Sequence, residues 1–170
     1  MSKEGSDMIL RYIDGPEVRF TLKDKIFVDM EFYHTKEVFK DMELRRMFPI
    51  SGKNKYIAVV DGEGNEQAMI RDVANLDEKS REAVETCLEE YYMMPRILRF
   101  IDMTDKFGIW IWTAETDKGI AKFEIRNHLT AVKPLFDNRV LIKDANDNRY
   151  EIPDYTKLDK RSIKLIIPNL

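Results

Sequence analysis

The chain has 170 residues, 44% of them hydrophobic and 35% charged, which is enough apolar material for one good core without a disulfide staple. Its 28 Lys and Arg against 31 Asp and Glu give a net charge of −3 with the signs interleaved, which disfavours a surface that tracks a nucleic-acid backbone. A single cysteine, Cys87, excludes an internal disulfide and fits a reducing compartment; with no apolar signal segment and no run of about 18 apolar residues, the chain reads as cytoplasmic, without direct membrane insertion.

Residues 1–16 hold Gly5, Gly15 and Pro16 and no sustained pattern, so they read as a loose N-terminal arm. Order is expected from Val18. Val18, Phe20 and Leu22, then Ile26, Val28, Met30 and Phe32 across Lys23-Asp24, alternate with polar residues as in a hairpin with one buried face. Lys36 to Met47 fits neither the strand nor the helix period. Tyr56 to Val60 and Gln67 to Ile70 flank a polar turn, and Asp77 is placed to cap a helix from Glu78 to about Met93. Ala83, Val84, Cys87, Leu88 and Tyr91 lie on one stripe of that helix, with Glu82, Glu85 and Glu89 on the other, so Cys87 reads as core rather than as a reactive thiol. Pro95 stops the helix and makes Met94-Pro95 an extended link into the strand Ile97 to Met103.

A hairpin follows, Ile109 to Thr113 facing Ile120 to Ile125 across Thr116-Asp117-Lys118-Gly119, with Gly119 supplying a positive φ. Trp110 and Trp112 share one face of its first strand, and Ile109 and Ile111 share the other. Such a strand is central in a sheet or turns one face to a partner. Sheet packing of the indoles is the plain alternative.

Val140 to Ile152 echoes Ala58 to Ile70 without a gap. At a spacing of 82, Ile70 matches Ile152, Asp72 matches Asp154, Leu76 matches Leu158, Asp77 matches Asp159 and Ser80 matches Ser162. Each copy reads as strand, polar turn, strand and a Leu-Asp-x-x-Ser helix start; two copies are too few for a solenoid. The expected architecture is a single α+β domain over 1–170, mainly antiparallel β-hairpins with two packed helices, Glu78 to Met93 and one after Asp159 that Pro168 ends. An internal hairpin-helix pseudo-repeat, with units at about 56–93 and 138–168, organises it.

Catalytic chemistry is not evident. His34 and His128 lack a ligand or nucleophile at a useful spacing, and no phosphate-cradling glycine loop occurs. Asp61, Glu63, Asn65 and Asp72 imitate a calcium loop, but Glu66 stands where the sharp turn needs glycine, and a hairpin turn explains the same residues. The acidic helix face with Glu78, Glu82, Glu85, Glu89 and Glu90, and the basic pairs Arg45-Arg46 and Lys160-Arg161, read as solvated surface. No residue is assigned to catalysis, to a cofactor or to a metal.

Arg46-Met47-Phe48-Pro49-Ile50-Ser51, Val59-Val60-Asp61-Gly62, Glu66-x-Ala68-x-Ile70, Met94-Pro95-x-Ile97 and Thr116-Asp117-Lys118-Gly119-x-x-x-Phe123 follow one another in an order that resembles a bacterial family of uncharacterised domains. That family occurs free-standing, with some members associated with cyanophycin metabolism, and as the C-terminal extension of some ABC-type ATP-binding/permease proteins. The resemblance implies a non-enzymatic cytosolic accessory or regulatory module associated with an ABC transporter. A small-molecule sensor linked to amino-acid or cyanophycin metabolism, with its ligand against Trp110 or Trp112, is the alternative, and an unrecognised enzyme the third. Trp110, Trp112, Phe48 and Tyr92 are the interface or ligand candidates.

Overall fold

The computed structural model describes residues 10–170, which fall into two compact units, one ending at Tyr92 and the other spanning Met93–Leu170. Strands account for 46% and helical turns for 24% of the structure, so the expected α+β class is corrected to a mostly β fold: a curled six-stranded sheet, two smaller sheets and three helices.

The first unit carries β1 (Arg11–Ile13), β2 (Val18–Lys23), β3 (Phe27–Phe32), β4 (Val38–Arg46), β5 (Lys55–Val60) and β6 (Glu66–Asp72) in one sheet of order β1-β6-β5-β4-β3-β2. Residues 1–9 of the expected arm lie outside the described residues. The rest is not loose, because Arg11–Ile13 pairs parallel to β6, from Arg11 opposite Ala68 to Ile13 opposite Ile70, with Ile13 buried. The stretch that fitted no period is strand β4. Val28 faces Met42 while Met30 faces Phe39, so β4 has one residue more than β3, and Asp41 absorbs it at φ 54 with its N–H donating to Asp29 Oδ1 at 3.0 Å. A bulge of this kind shifts the alternation by one and bends the sheet over its core. Phe20, Val28, Met30, Met42, Leu44, Ile57, Val59 and Ile70 fill that core together with Val84, Cys87 and Leu88 of α1 (Glu78–Met93).

The second unit has a meander of β7 (Ile97–Lys106), β8 (Ile109–Thr116) and β9 (Gly119–Ile125), the short α2 (His128–Ala131), a sheet of β10 (Val132–Pro134), β11 (Val140–Lys143) and β12 (Arg149–Ile152), and α3 (Lys160–Ile166). Gly119 turns the β8–β9 hairpin at φ 107, where Thr116 Oγ1 donates to its carbonyl at 2.7 Å. Phe100, Trp112, Phe123, Val140, Ile142, Tyr150 and Ile152 make the core, and the Phe123 and Tyr150 rings stack at 4.3 Å.

The hairpin-helix repeat is not what organises these units. α1 has 16 residues and α3 has 7, and the ungapped sequence match is not the structural one. Ile57 pairs with Ile70 and Val140 with Ile152, but β5–β6 contains a register shift at Val59/Val60 that β11–β12 lacks, so the hairpins differ by a residue. What the two segments do share is hydrogen bonding. Asp77 and Asp159 each accept the N–H of the serine three residues on, and each serine hydroxyl accepts a buried strand N–H: Ser80 from Phe20 at 3.0 Å and Ser162 from Phe100 at 2.8 Å.

Removing either hydroxyl leaves a buried strand N–H without its acceptor. Ser80→Ala and Ser162→Ala are each expected to destabilise by roughly 1–3 kcal/mol, read as a lower urea midpoint at unchanged slope. Exposed Ser51→Ala is the control, expected within about 0.5 kcal/mol of the parent. Buried variants indistinguishable from that control would remove the serine pins from the account.

Candidate functional site

The most elaborate surface of the first unit is the connection from β4 to β5. Arg45 and Arg46, at the end of β4, lie over the rings of the last turn of α1: the Arg45 guanidinium is 4.0 Å from the Tyr91 ring centre and that of Arg46 is 4.5 Å from Tyr92. Tyr91 and Tyr92 meet edge to face at 5.0 Å, and Arg45 Nη2 reaches the buried Glu43 carboxylate at 2.9 Å. Each is a cation–π contact, and an arginine in that place can also donate a fork of N–H bonds, which a lysine does not reproduce. Arg46 also holds the loop, because its N–H donates to Tyr92 Oη at 2.8 Å and its Nε–H to the Lys53 carbonyl at 2.9 Å.

The loop is closed on itself by backbone bonds from Met47 N–H to the Tyr56 carbonyl, from Gly52 N–H to that of Phe48 and from Val73 N–H to that of Asn54. Phe48 and Tyr56 meet edge to face at 5.8 Å. On this fixed frame Met47, Phe48, Ile50 and Tyr56 stay exposed.

The four sequence candidates therefore part company. Phe48 is exposed on the loop and Tyr92 is half-buried under Arg46, so the structure joins these two through one arginine. Trp112 is wholly buried between Phe100 and Phe123, at ring distances of 5.8 and 6.1 Å, and is a core residue. Trp110 is half-buried on the same face, 6.2 Å from the ring of His128.

Strand β7 runs three residues past the expected end at Met103, to Lys106, and leads into the tip of the β7–β8 hairpin. Phe107 and Gly108 take φ of 56 and 80 there, Gly108 N–H donates to Asp105 Oδ1 at 3.0 Å, and the Phe107 side chain is wholly in solvent. The signal was Asp105-x-x-Gly108, turn chemistry between two apolar runs.

Cavities lie elsewhere on the two units. One of about 400 Å³ in the first unit is lined by Arg19, Tyr33, Asp77 and Lys79 among others, and one of about 270 Å³ in the second by Arg126, Asn127, Thr130, Lys143 and Asp144. Arg19 Nε–H donates to Tyr33 Oη at 3.2 Å, a bond that raises the guanidinium pKa further.

The residues that imitated a calcium loop are committed elsewhere. Asp61 Oδ1 accepts the N–H groups of Glu63 and Asn65, Oδ2 accepts from Gln67, and Asp72 accepts from Ala74 N–H. Partial burial works to raise the Asp61 carboxyl pKa, but these bonds outweigh it and lower the pKa. Among the described residues no group of three His, Cys, Asp or Glu is placed to hold a metal, and no helix is long and apolar enough to cross a membrane. Burial pushes the Cys87 thiol up to about 12, which keeps it protonated and inert at neutral pH.

The chain is thus a mostly β protein of two units whose loop and hairpin tip carry fixed, exposed apolar side chains. Its residues 39–168 match the family described as Domain of unknown function (DUF1854), and the chain belongs to that family. No curated protein and no solved structure matches it.

Proposed function

We propose that this chain is a non-enzymatic accessory or regulatory module that docks on a transporter of the ABC type from the cytoplasmic side. The observation that carries the docking is Phe107. A residue other than glycine in the left-handed region is uncommon, and a phenylalanine wholly in solvent adds nothing to folding. An exposed aromatic on a turn whose backbone is already hydrogen-bonded is a side chain that protein interfaces use as an anchor. The transporter as partner rests on the family resemblance of the motifs from Arg46 to Phe123.

Phe107→Asn tests the anchor without endangering the fold, since Asn-Gly is the preferred pair for such a hairpin turn. Tagged protein isolated from detergent-solubilised native cells is expected to bring a transporter subunit at near-stoichiometric amount, and the variant to bring about tenfold less or lower. Recovery of no transporter subunit with the parent would overturn the reading.

A small-molecule sensor is the second reading, favoured by the cavity of about 400 Å³, a size typical of ligand pockets, with Arg19, Tyr33 and Lys79 as polar groups. Trp112 is occupied in the core, so the ligand's place moves from the indoles to this cavity. Titration with amino acids, arginine-aspartate dipeptide and nucleotides, followed by amide NMR shifts around Tyr33, distinguishes the two readings.

A further inference from the structure

We infer that the β4–β5 loop is a contact for an anionic lipid surface, with Phe48 and Ile50 entering the headgroup layer while Lys53 and Lys55 stay at the level of the phosphates. Between Arg45 and Tyr56 the chain has four cations, Arg45, Arg46, Lys53 and Lys55, and no acid, although its overall charge is −3. In the middle of that segment Ile50 is 95% and Phe48 52% exposed. An aliphatic side chain held almost entirely in water at the far end of a loop has no role in folding. Lys53 and Lys55, both exposed in the same segment, are long, flexible cations whose ammonium groups remain at a headgroup plane while apolar atoms pass below it.

The loop is prepared for this. The bonds from Arg46 to Lys53 and Tyr92, and those between Met47 and Tyr56 and between Phe48 and Gly52, fix its backbone beforehand, so contact with a surface orders little that is not already ordered. The acids around it are accounted for. Glu43 is buried on Arg45, and Asp72, opposite Lys55 in the ladder, caps the turn at Ala74. Glu89 and Glu90 are exposed near the end of α1 and oppose the attraction, so neutralising them is expected to strengthen it.

Charge complementarity selects lipid over a protein groove. Met47, Phe48 and Ile50 are exposed within four residues of one loop, and a fluid headgroup layer accepts such side chains without a matching pocket. The inference stands apart from the transporter reading, because it is tested with vesicles that contain no protein.

Flotation of the full chain with phosphatidylcholine vesicles, with and without phosphatidylglycerol, is the experiment. The parent is expected to float with the anionic vesicles about tenfold more than with the neutral ones, and to be released as salt rises. Phe48→Ala/Ile50→Ala is expected to weaken binding to the anionic vesicles about tenfold. Lys53→Glu/Lys55→Glu is expected to abolish the preference for them. Lys53, Lys55 and Ile50 are exposed and Phe48 packs only on Tyr56, so each variant should still unfold cooperatively within a few degrees of the parent, which separates lost binding from lost fold. A parent that does not float, or an apolar double variant that floats as well as the parent, overturns the inference. Loss of transporter recovery with Lys53→Glu/Lys55→Glu, when the parent does not float, would reassign the loop to an acidic protein face.

Discussion

Trp112→Ala is expected to destabilise the protein by roughly 3–5 kcal/mol, a large part of the roughly 5–15 kcal/mol that holds a natural domain together. The indole is wholly buried, pairs across the ladders with Phe123 on β9 and Met103 on β7, and meets Phe100 and Phe123 edge to face. Alanine would leave a void that this two-ladder frame can close only in part. Its Nε1–H finds no acceptor among the described residues, so Trp112→Phe removes a desolvated donor along with part of the ring. That variant should lose only about 1 kcal/mol, because the relieved donor offsets much of the lost packing. Trp110→Ala, at a half-buried position, should cost less than half as much as Trp112→Ala. Denaturation followed by far-ultraviolet circular dichroism checks all three without using the indole as its own reporter. A Trp112→Ala protein within about 1 kcal/mol of the parent would return this side chain to the list of partner contacts.

Legibility of the fold divided along the range of the interactions involved. The β2–β3, β5–β6 and β8–β9 hairpins and the start of α1 were readable because alternation, turn residues and the Asp77 cap all act over a few residues. Strand β1 was not, since its three residues pair in parallel with a strand some fifty-seven positions on and have no local signature. Asp41 hid β4, because one extra residue puts Phe39 and Met42 out of phase. The α+β expectation failed on strand content: the helix after Asp159 is present but holds 7 residues before a 3-10 turn through Pro168, while β1, β4 and β10 join the sheets without a local signature.

The candidate site shows the same limit from the other side. Alternation places Trp110 and Trp112 on one face of β8, but which face is covered depends on Phe100, Tyr150 and Ile152, residues remote in sequence. Phe48 was legible as an apolar residue of the Arg46–Ser51 motif, just past the segment of no period. Its link to Tyr92 was not, because that link runs through Arg46, which as half of a basic pair looked like ordinary surface.

Arg139→Met is the second large effect, expected at roughly 3–5 kcal/mol, because it breaks an ion pair that the fold has already taken out of water. Arg139 and Glu151 are 8% and 3% exposed, with Nε and Oε1 3.2 Å apart, and the guanidinium lies 4.9 Å from the Phe136 ring centre. Methionine keeps much of the stem but no charge, so the buried carboxylate loses the guanidinium that faces it. Arg139→Met/Glu151→Met should return stability to within about 1 kcal/mol of the parent, since the pair's Coulomb gain and desolvation cost nearly cancel. The position matters for the hairpin that carries Phe107. Glu151 N–H donates to the Pro95 carbonyl at 3.0 Å and its backbone bridges Arg96, which fastens β12 to the chain entering β7. The single variant should therefore speed amide exchange at Ile97 and its cross-strand partner Thr116 before it speeds exchange at Trp112, and the double variant should restore both. Equal exchange at Ile97 and Trp112 in the single variant would mean that the pair supports the unit as a whole; unequal exchange would make it the clasp at the base of the proposed docking hairpin.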